Sequence, residues 1–301
     1  LSRPQAAYLR EGLGLRLPED TPPLAEHEPL GMPDALQRHA LRQDVFERWL
    51  ETGVAPDPQR LHANLLARAQ LAPGADGLAT LAMVIAEVRP FAEAALSAGF
   101  QGESDPVSFA QTMLDFGRAT PRVRFGGGLW GRYPQGLLRV ALNPGGLHGG
   151  HVLRHRLDAL VAAALYEPVP VFELAVGGKG EAPRIEPIPM PEAEAAMRAL
   201  QSLLALRRRL LRAPLPFLPK SGYAFYQAGD EDAGLRAARA QWLGNDFGLP
   251  GEADAATRLA LRGCDPFLDG NLEMRSRFAD ASRAIFAALI DADSTGVEAL
   301  S

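Results

Sequence analysis

The feature that most constrains this chain is a change of period in its middle. Apolar residues up to about residue 118 recur at helical spacing, and they do so again from residue 191 onward. Between them, from Pro121, the chain breaks into short runs punctuated by glycine and proline. Arg122–Phe125 alternates, Gly126-Gly127-Gly128 reads as a turn, and Leu129–Tyr133 and Leu137–Leu142 flank Pro134-Gln135-Gly136. That pattern predicts a meander of three strands. Val169–Val176 is a further strand, turned by Gly177-Gly-Lys179-Gly180 into a weaker one at Arg184–Ile188. A sheet of about five strands between helices before and after it makes a mixed α/β domain.

The helices are placed by their caps and stripes. Pro33-Asp34 opens one to about Glu51, and Pro58 opens another to about Leu71. Gly77–Ala98 carries Leu81, Ile85, Val88, Ala92 and Ala95 on one stripe, and Asp105-Pro106 predicts a helix to about Arg118. Leu153, Leu157, Leu160 and Val161 mark a helix after the meander. Pro191 opens a long one, and shorter helices follow to Ile290. Residues 1–33 hold six prolines and one short helical piece near Gln5–Gly12, so they are expected to run extended over the body. Residues 34–290 form the domain with a C-terminal helical extension, and 291–301 are expected to fray.

With 47% hydrophobic and 22% charged residues in 301, the chain can bury a core. No apolar run approaches the ~20 residues of a membrane span. A single cysteine, Cys264, excludes a disulfide framework and fits a reducing cytoplasm. The abrupt opening at Leu1 without an initiator methionine suggests a piece of something longer.

Charge is segregated. From Phe116 to Leu157 there is no aspartate or glutamate, yet the stretch holds seven arginines: Arg118, Arg122, Arg124, Arg132, Arg139, Arg154 and Arg156. In a chain whose net charge is −5, that points to a polyanion or an acidic partner surface. The ordinary alternative is that each arginine stem covers apolar surface. Arg207-Arg208-Arg209 at a helix end is explained by the helix dipole. His148, His151 and His155 have helical spacing, but no acid or cysteine nearby completes a metal site, and Arg154 and Arg156 oppose a dication. The Gly145-Gly146-Leu-His-Gly149-Gly150 run lacks the features of a phosphate loop, and no nucleophile elbow is present.

Several blocks occur in a telling order: Ala7-Tyr-Leu-Arg-Glu-Gly-Leu-Gly-Leu-Arg-Leu17, Glu28-Pro-Leu and Leu71-Ala-Pro-Gly-Ala75. Downstream come Pro214-Leu-Pro-Phe-Leu-Pro-Lys-Ser-Gly-Tyr-Ala224 and Gly251-Glu-Ala-Asp with Arg258-Leu-Ala-Leu-Arg-Gly-Cys-Asp-Pro266. Together they resemble the C-terminal region of the RecC family, the gamma subunits of the exodeoxyribonuclease V (RecBCD) helicase-nuclease. The resemblance implies a restriction-endonuclease-like core that is catalytically degenerate. An active member carries an aspartate on the second strand and an acid-x-lysine on the third, which hold a divalent metal. Here Trp130 or Gly131 stands at the first position, with Arg139 and Ala141 at the others. Glu87 could stand in for the family's helical glutamate, but one carboxylate does not make a magnesium site.

The resemblance further implies a non-catalytic scaffold that guides or splits duplex or forked DNA during break repair, inside an ATP-dependent nuclease complex. The beta and alpha subunits (RecB, RecD) would be its partners, and no cofactor is expected in this domain. An active nuclease and a pure protein-docking module are the alternatives. Candidate DNA contacts are Arg122, Arg124, Arg132, Tyr133, Arg139, Arg154 and Lys179, with hairpin tips at Arg132–Gln135 and Gly177–Gly180.

Overall fold

The computed structural model describes residues 1–17, 33–114, 123–164, 168–178, 180–244, 251–268 and 270–291; the side chains of Ala35 and of residues 108–125 lie outside that description. The chain begins with α1 (Pro4–Ala7), continued by a π-helical turn at Tyr8–Gly12. Helix α2 (Ala35–Thr52) starts on a capping box, in which Asp34 accepts from the Gln37 N–H while the Gln37 side chain accepts from the Asp34 N–H. Asp57 caps α3 (Pro58–Ala67), with Pro58 in the first turn. The apolar stripe of the third helix is realised in α4 (Gly74–Ser97).

Five strands follow: β1 (Asp105–Leu114), β2 (Val123–Tyr133), β3 (Gly136–Val140), β4 (Val171–Val176) and β5 (Pro183–Pro187). They lie in the order β1-β2-β3-β4-β5, all neighbours antiparallel except β3 and β4. The parallel pair requires a crossover, supplied by α5 (Gly149–Ala163). Helices α6 (Ala193–Leu210), α7 (Pro219–Ala228), α8 (Glu231–Leu243), α9 (Ala255–Ala260) and α10 (Leu272–Ile290) complete the chain.

Alternation along the strands splits the core into two layers. Leu129, Leu137 and Val171 face α5, α6 and α10. Tyr133, Leu138, Leu142, Leu174 and Val176 face Val45, Trp49, Leu81, Val88 and Phe91 of α2 and α4. The result is helices on both sides of a mixed sheet. A third cluster, with Phe225, Trp242, Phe267 and Phe278, holds the C-terminal helices together. No helix among the described residues is long and apolar enough to cross a membrane.

Two local expectations are overturned. Asp105–Leu114 is a strand rather than a helix. Its Asp-Pro cap signal is real, but Val107 packs with Leu129 in the core and the backbone pairs along β2. Pro106 is harmless there, because β1 is an edge strand with one side unpaired in the sheet. Likewise Gly126-Gly127-Gly128 does not turn. It runs extended within β2, with Gly127 opposite Phe109 and Gly128 opposite Ser108. Glycine tolerates a turn but does not impose one, and the paired strand decides. The expected extended segment falls partly on residues 18–32, and the expected frayed tail on 292–301; both lie outside the described residues.

The α7 N-terminus is tied to the segment that leads into α9. One Glu252 carboxylate accepts from the Lys220 N–H at 2.8 Å, the Ser221 N–H at 2.7 Å and the Ser221 hydroxyl at 2.7 Å. Charge-assisted bonds at a helix N-terminus are among the stronger ones. Glu252→Ala is expected to destabilise the chain by about 2–3 kcal/mol. Thermal unfolding checks this, with a drop in Tm of about 2–4 °C per kcal/mol expected at this size.

Candidate functional site

The site is built where β1, β2 and β3 meet α5. Asp105 pairs with Arg132 and Val107 with Leu129, so the single residue Pro106 stands against two, Trp130 and Gly131. This is a β-bulge, and Gly131 takes φ +80° within it. A Cβ at Gly131 would sit 3.2 Å from the Leu138 carbonyl and 3.4 Å from Arg139 Nη1. The bulge therefore uses a glycine both for its backbone angle and for room beside an arginine.

Arg139, on β3, fills that room. Its Nη1 donates to the Trp130 carbonyl at 2.6 Å and to the Leu138 carbonyl at 3.2 Å, and its Nε lies 2.6 Å from Asp158 Oδ2. The residue is 9% exposed. Asp158 comes from α5, and burial pushes its carboxyl up against the pull of Arg139. Arg139 also stands opposite Glu173 in the parallel register. Glu173 is bound at 2.7 Å by Nδ1 of His155, itself buried on α5.

His148, His151, His155 and Asp158 follow spacings of three, four and three, and so share one face of α5. The His148 and His151 rings stack at 3.7 Å, with His155 6.0 Å beyond. His148 Nδ1 accepts from the Gly150 N–H at 3.1 Å and so caps the helix. Desolvation, reinforced by Lys220, lowers the His148 pKa to about 4. Desolvation, reinforced by the other two histidines of the row, lowers that of His151 to about 3.

The expected site residues are thus sorted by their surroundings. Arg139 is buried and ion-paired, so it is no surface cation. The acid-free stretch ends at Leu157, and its neighbour Asp158 is the counter-charge. Tyr133 is also no hairpin tip, because it lies 9% exposed in the core, edge-on to Phe100 at 5.6 Å. The turn beside it is tied down as well, with Gln135 Nε2 donating to the Gly99 carbonyl at 2.6 Å. Arg132 and Arg154 are exposed, Arg132 across the strands from Asp105. Arg124 pairs with Met113 along the backbone of β2; its side chain, and Arg118, Arg122 and Lys179, lie outside the described residues.

The four catalytic-type positions are equally plain. Trp130 is 72% exposed, Gly131 is in the bulge, Arg139 is paired and Ala141 is buried. Glu87, on α4, is held by Arg38 and by Arg42, the latter at 2.7 Å. The nearby carboxylates Asp158 and Glu173 are engaged by Arg139 and His155. These donors do not fit a divalent ion. Among the described residues no group of three or more His, Cys, Asp or Glu is arranged to hold one. The roles of Asp158, His155 and Glu173 went unread in the sequence. The signal that would have found them is the His155-to-Asp158 spacing on one helix face.

Two measurements test this arrangement. Asp158→Asn strands a buried guanidinium and is expected to lower stability by about 3 kcal/mol or more, whereas Arg139→Met combined with Asp158→Asn recovers part of the loss in chemical denaturation. The second concerns pH. An unfolded histidine takes up its proton near 6.5, whereas folded His148 and His151 refuse it until about 4 and about 3. Between those values the unfolded chain binds more protons, so stability should fall as pH falls from about 6.5 towards 4. His151→Gln should flatten that slope in denaturation midpoints taken across the range.

The sequence profile of the family described as the RecC C-terminal domain matches residues 1–230. No curated protein gives a significant match to the chain. The matched span runs from α1 through α7 and contains the whole sheet, the bulge and the Arg139–Asp158 pair; the chain belongs to the RecC C-terminal domain family.

Proposed function

We propose that this domain of a RecBCD-complex subunit is a non-catalytic, DNA-associated scaffold with a restriction-endonuclease-like core. In this reading it guides or splits DNA during double-strand-break processing, next to the RecB and RecD subunits, and works without a metal of its own. Family membership and the five-strand mixed sheet between helix layers support the core assignment.

One observation carries the loss of catalysis. Where an acid would bind metal stands Arg139, locked onto Asp158 and onto the Trp130 carbonyl. Metal-assisted phosphodiester cleavage needs anionic ligands that hold the cation and lower the pKa of its water. A guanidinium repels that ion and occupies the nearest carboxylate. The exposed Arg132 and Arg154 are free in position to meet phosphates, which fix a nucleic acid in place without reading its sequence.

Two assays separate the alternatives. With magnesium, the chain should leave single-stranded and duplex DNA intact; cleavage that Glu87→Ala abolishes would overturn the reading. Affinity for forked DNA should fall steeply with salt. Arg132→Ala and Arg154→Ala should each reduce the slope of log K against log salt by about 1. A flat salt response would identify a protein-docking module instead.

A further inference from the structure

Trp130 is the one large apolar residue of the sheet that is exposed among the described residues. Its surroundings show that it is held there deliberately. Leu129 points into the core, so its neighbours Gly128 and Trp130 point the other way, and Gly126 shares their face by the two-residue period of the strand. The bulge fixes the backbone of Trp130, and Arg139 clamps its carbonyl at 2.6 Å. A bulge of this kind re-aims a side chain.

Among the described residues, the glycine next to it has no internal cause. Gly128 is outside the left-handed region, and a Cβ there would meet nothing closer than the Val107 carbonyl at 3.6 Å. Nothing among the described residues requires Gly128 to lack a side chain. A strand glycine without an internal reason marks the close approach of something external. A smooth floor beside one indole wall fits a flat ring.

We propose that Trp130, with the floor of Gly126 and Gly128, is a stacking platform for an unpaired nucleobase of single-stranded DNA. The inference rests on the DNA-associated reading above and gives it a residue. The charge fits: β2 and β3 contribute arginines and no acid, although Arg132 lies beyond the bulge on the face of its partner Leu137. Asp105, across from Arg132, is the nearest opposing charge in the register. A protein partner fits less well, because an aromatic hot spot is normally set among other apolar groups that exclude water. Trp130 instead has glycines beside it, Gly128 on its own face and Gly131 next in the chain. Stacking on an aromatic accepts any base, as a domain that tracks a moving strand requires.

The test uses the whole chain and a single-stranded oligothymidylate. Of its three tryptophans, Trp49 and Trp242 are buried, so quenching by acrylamide reports on Trp130 and should be blocked by the bound strand. Trp130→Ala should weaken binding by about five- to 150-fold, the range for one stacked base, without changing the salt slope. Trp130→Phe should keep most of the affinity. Because the side chain is exposed, Trp130→Ala should melt like the parent chain. If Trp130→Ala binds like the parent while Arg132→Ala still weakens binding, the platform is wrong and the DNA reading stands. If the chain binds neither the oligothymidylate nor forked DNA, both are wrong. Loss of association with the partner subunits in Trp130→Ala would then assign the indole to a protein interface.

Discussion

The arrangement of this domain turns on a guanidinium buried against a carboxylate. Taking Arg139 and Asp158 out of water is unfavourable for each, and their attraction offsets it only if the remaining donors find partners. Nη1 finds two, the Trp130 and Leu138 carbonyls, while Nε faces Asp158 as an ion pair rather than an aligned hydrogen bond. That geometry is possible only because Gly131 has no side chain and adopts φ +80°, which is the conformation that produces the bulge. The bulge shifts the register so that Pro106 alone faces two residues, and it leaves the Trp130 side chain outside. Ion pair and bulge are one construction, and a change in either strains the other; the exposed indole is its product and not one of its supports.

The two faces of the sheet are unlike because of what this construction demands. Toward α2 and α4 the described strand residues of the core are apolar and aromatic, a layer with no buried charge among them. Toward α5 they present Arg139 and Glu173, and α5 answers with His155 and Asp158 at matching heights. Arg139 meets Asp158 and Glu173 meets His155 across the two elements. That requirement fixes the rotation and height of α5 over β3 and β4 more tightly than apolar packing alone, which tolerates sliding. The neutral histidines His148 and His151 extend the same row towards the helix N-terminus, where His148 serves as the cap.

Much of the scaffold is legible in the sequence because it is written locally. The stripe of α4, the caps Asp34 and Asp57 and the β-branched run of β4 each carry their own signal. Residues 105–114 are not legible, since an Asp-Pro cap and a strand edge use the same residues and only pairing with β2 decides. Gly126–Gly128 reads as a turn for the same reason: glycine permits several conformations and specifies none. The site fails differently. The absence of acids from Phe116 to Leu157 is true along the chain but not in space, because a helix returns Asp158 to the strand that precedes it. Tyr133 looks like a tip residue beside Pro134, yet the bulge before it shifts the strand's alternation and sends its ring into the core against Phe100.

On the proposed reading, the replacement of a metal ligand by Arg139 is more than a loss. An active site of this type leaves carboxylates facing one another, and their mutual repulsion is relieved when a cation binds. In this chain Asp158 is a partly buried carboxylate that needs a counter-charge. A covalently attached guanidinium neutralises it at every metal concentration and adds directional hydrogen bonds that a metal aqua ion would not make to the Trp130 carbonyl. The order of this site is therefore set by the chain alone. Rigidity of that kind suits a surface against which other subunits and a moving strand must keep register.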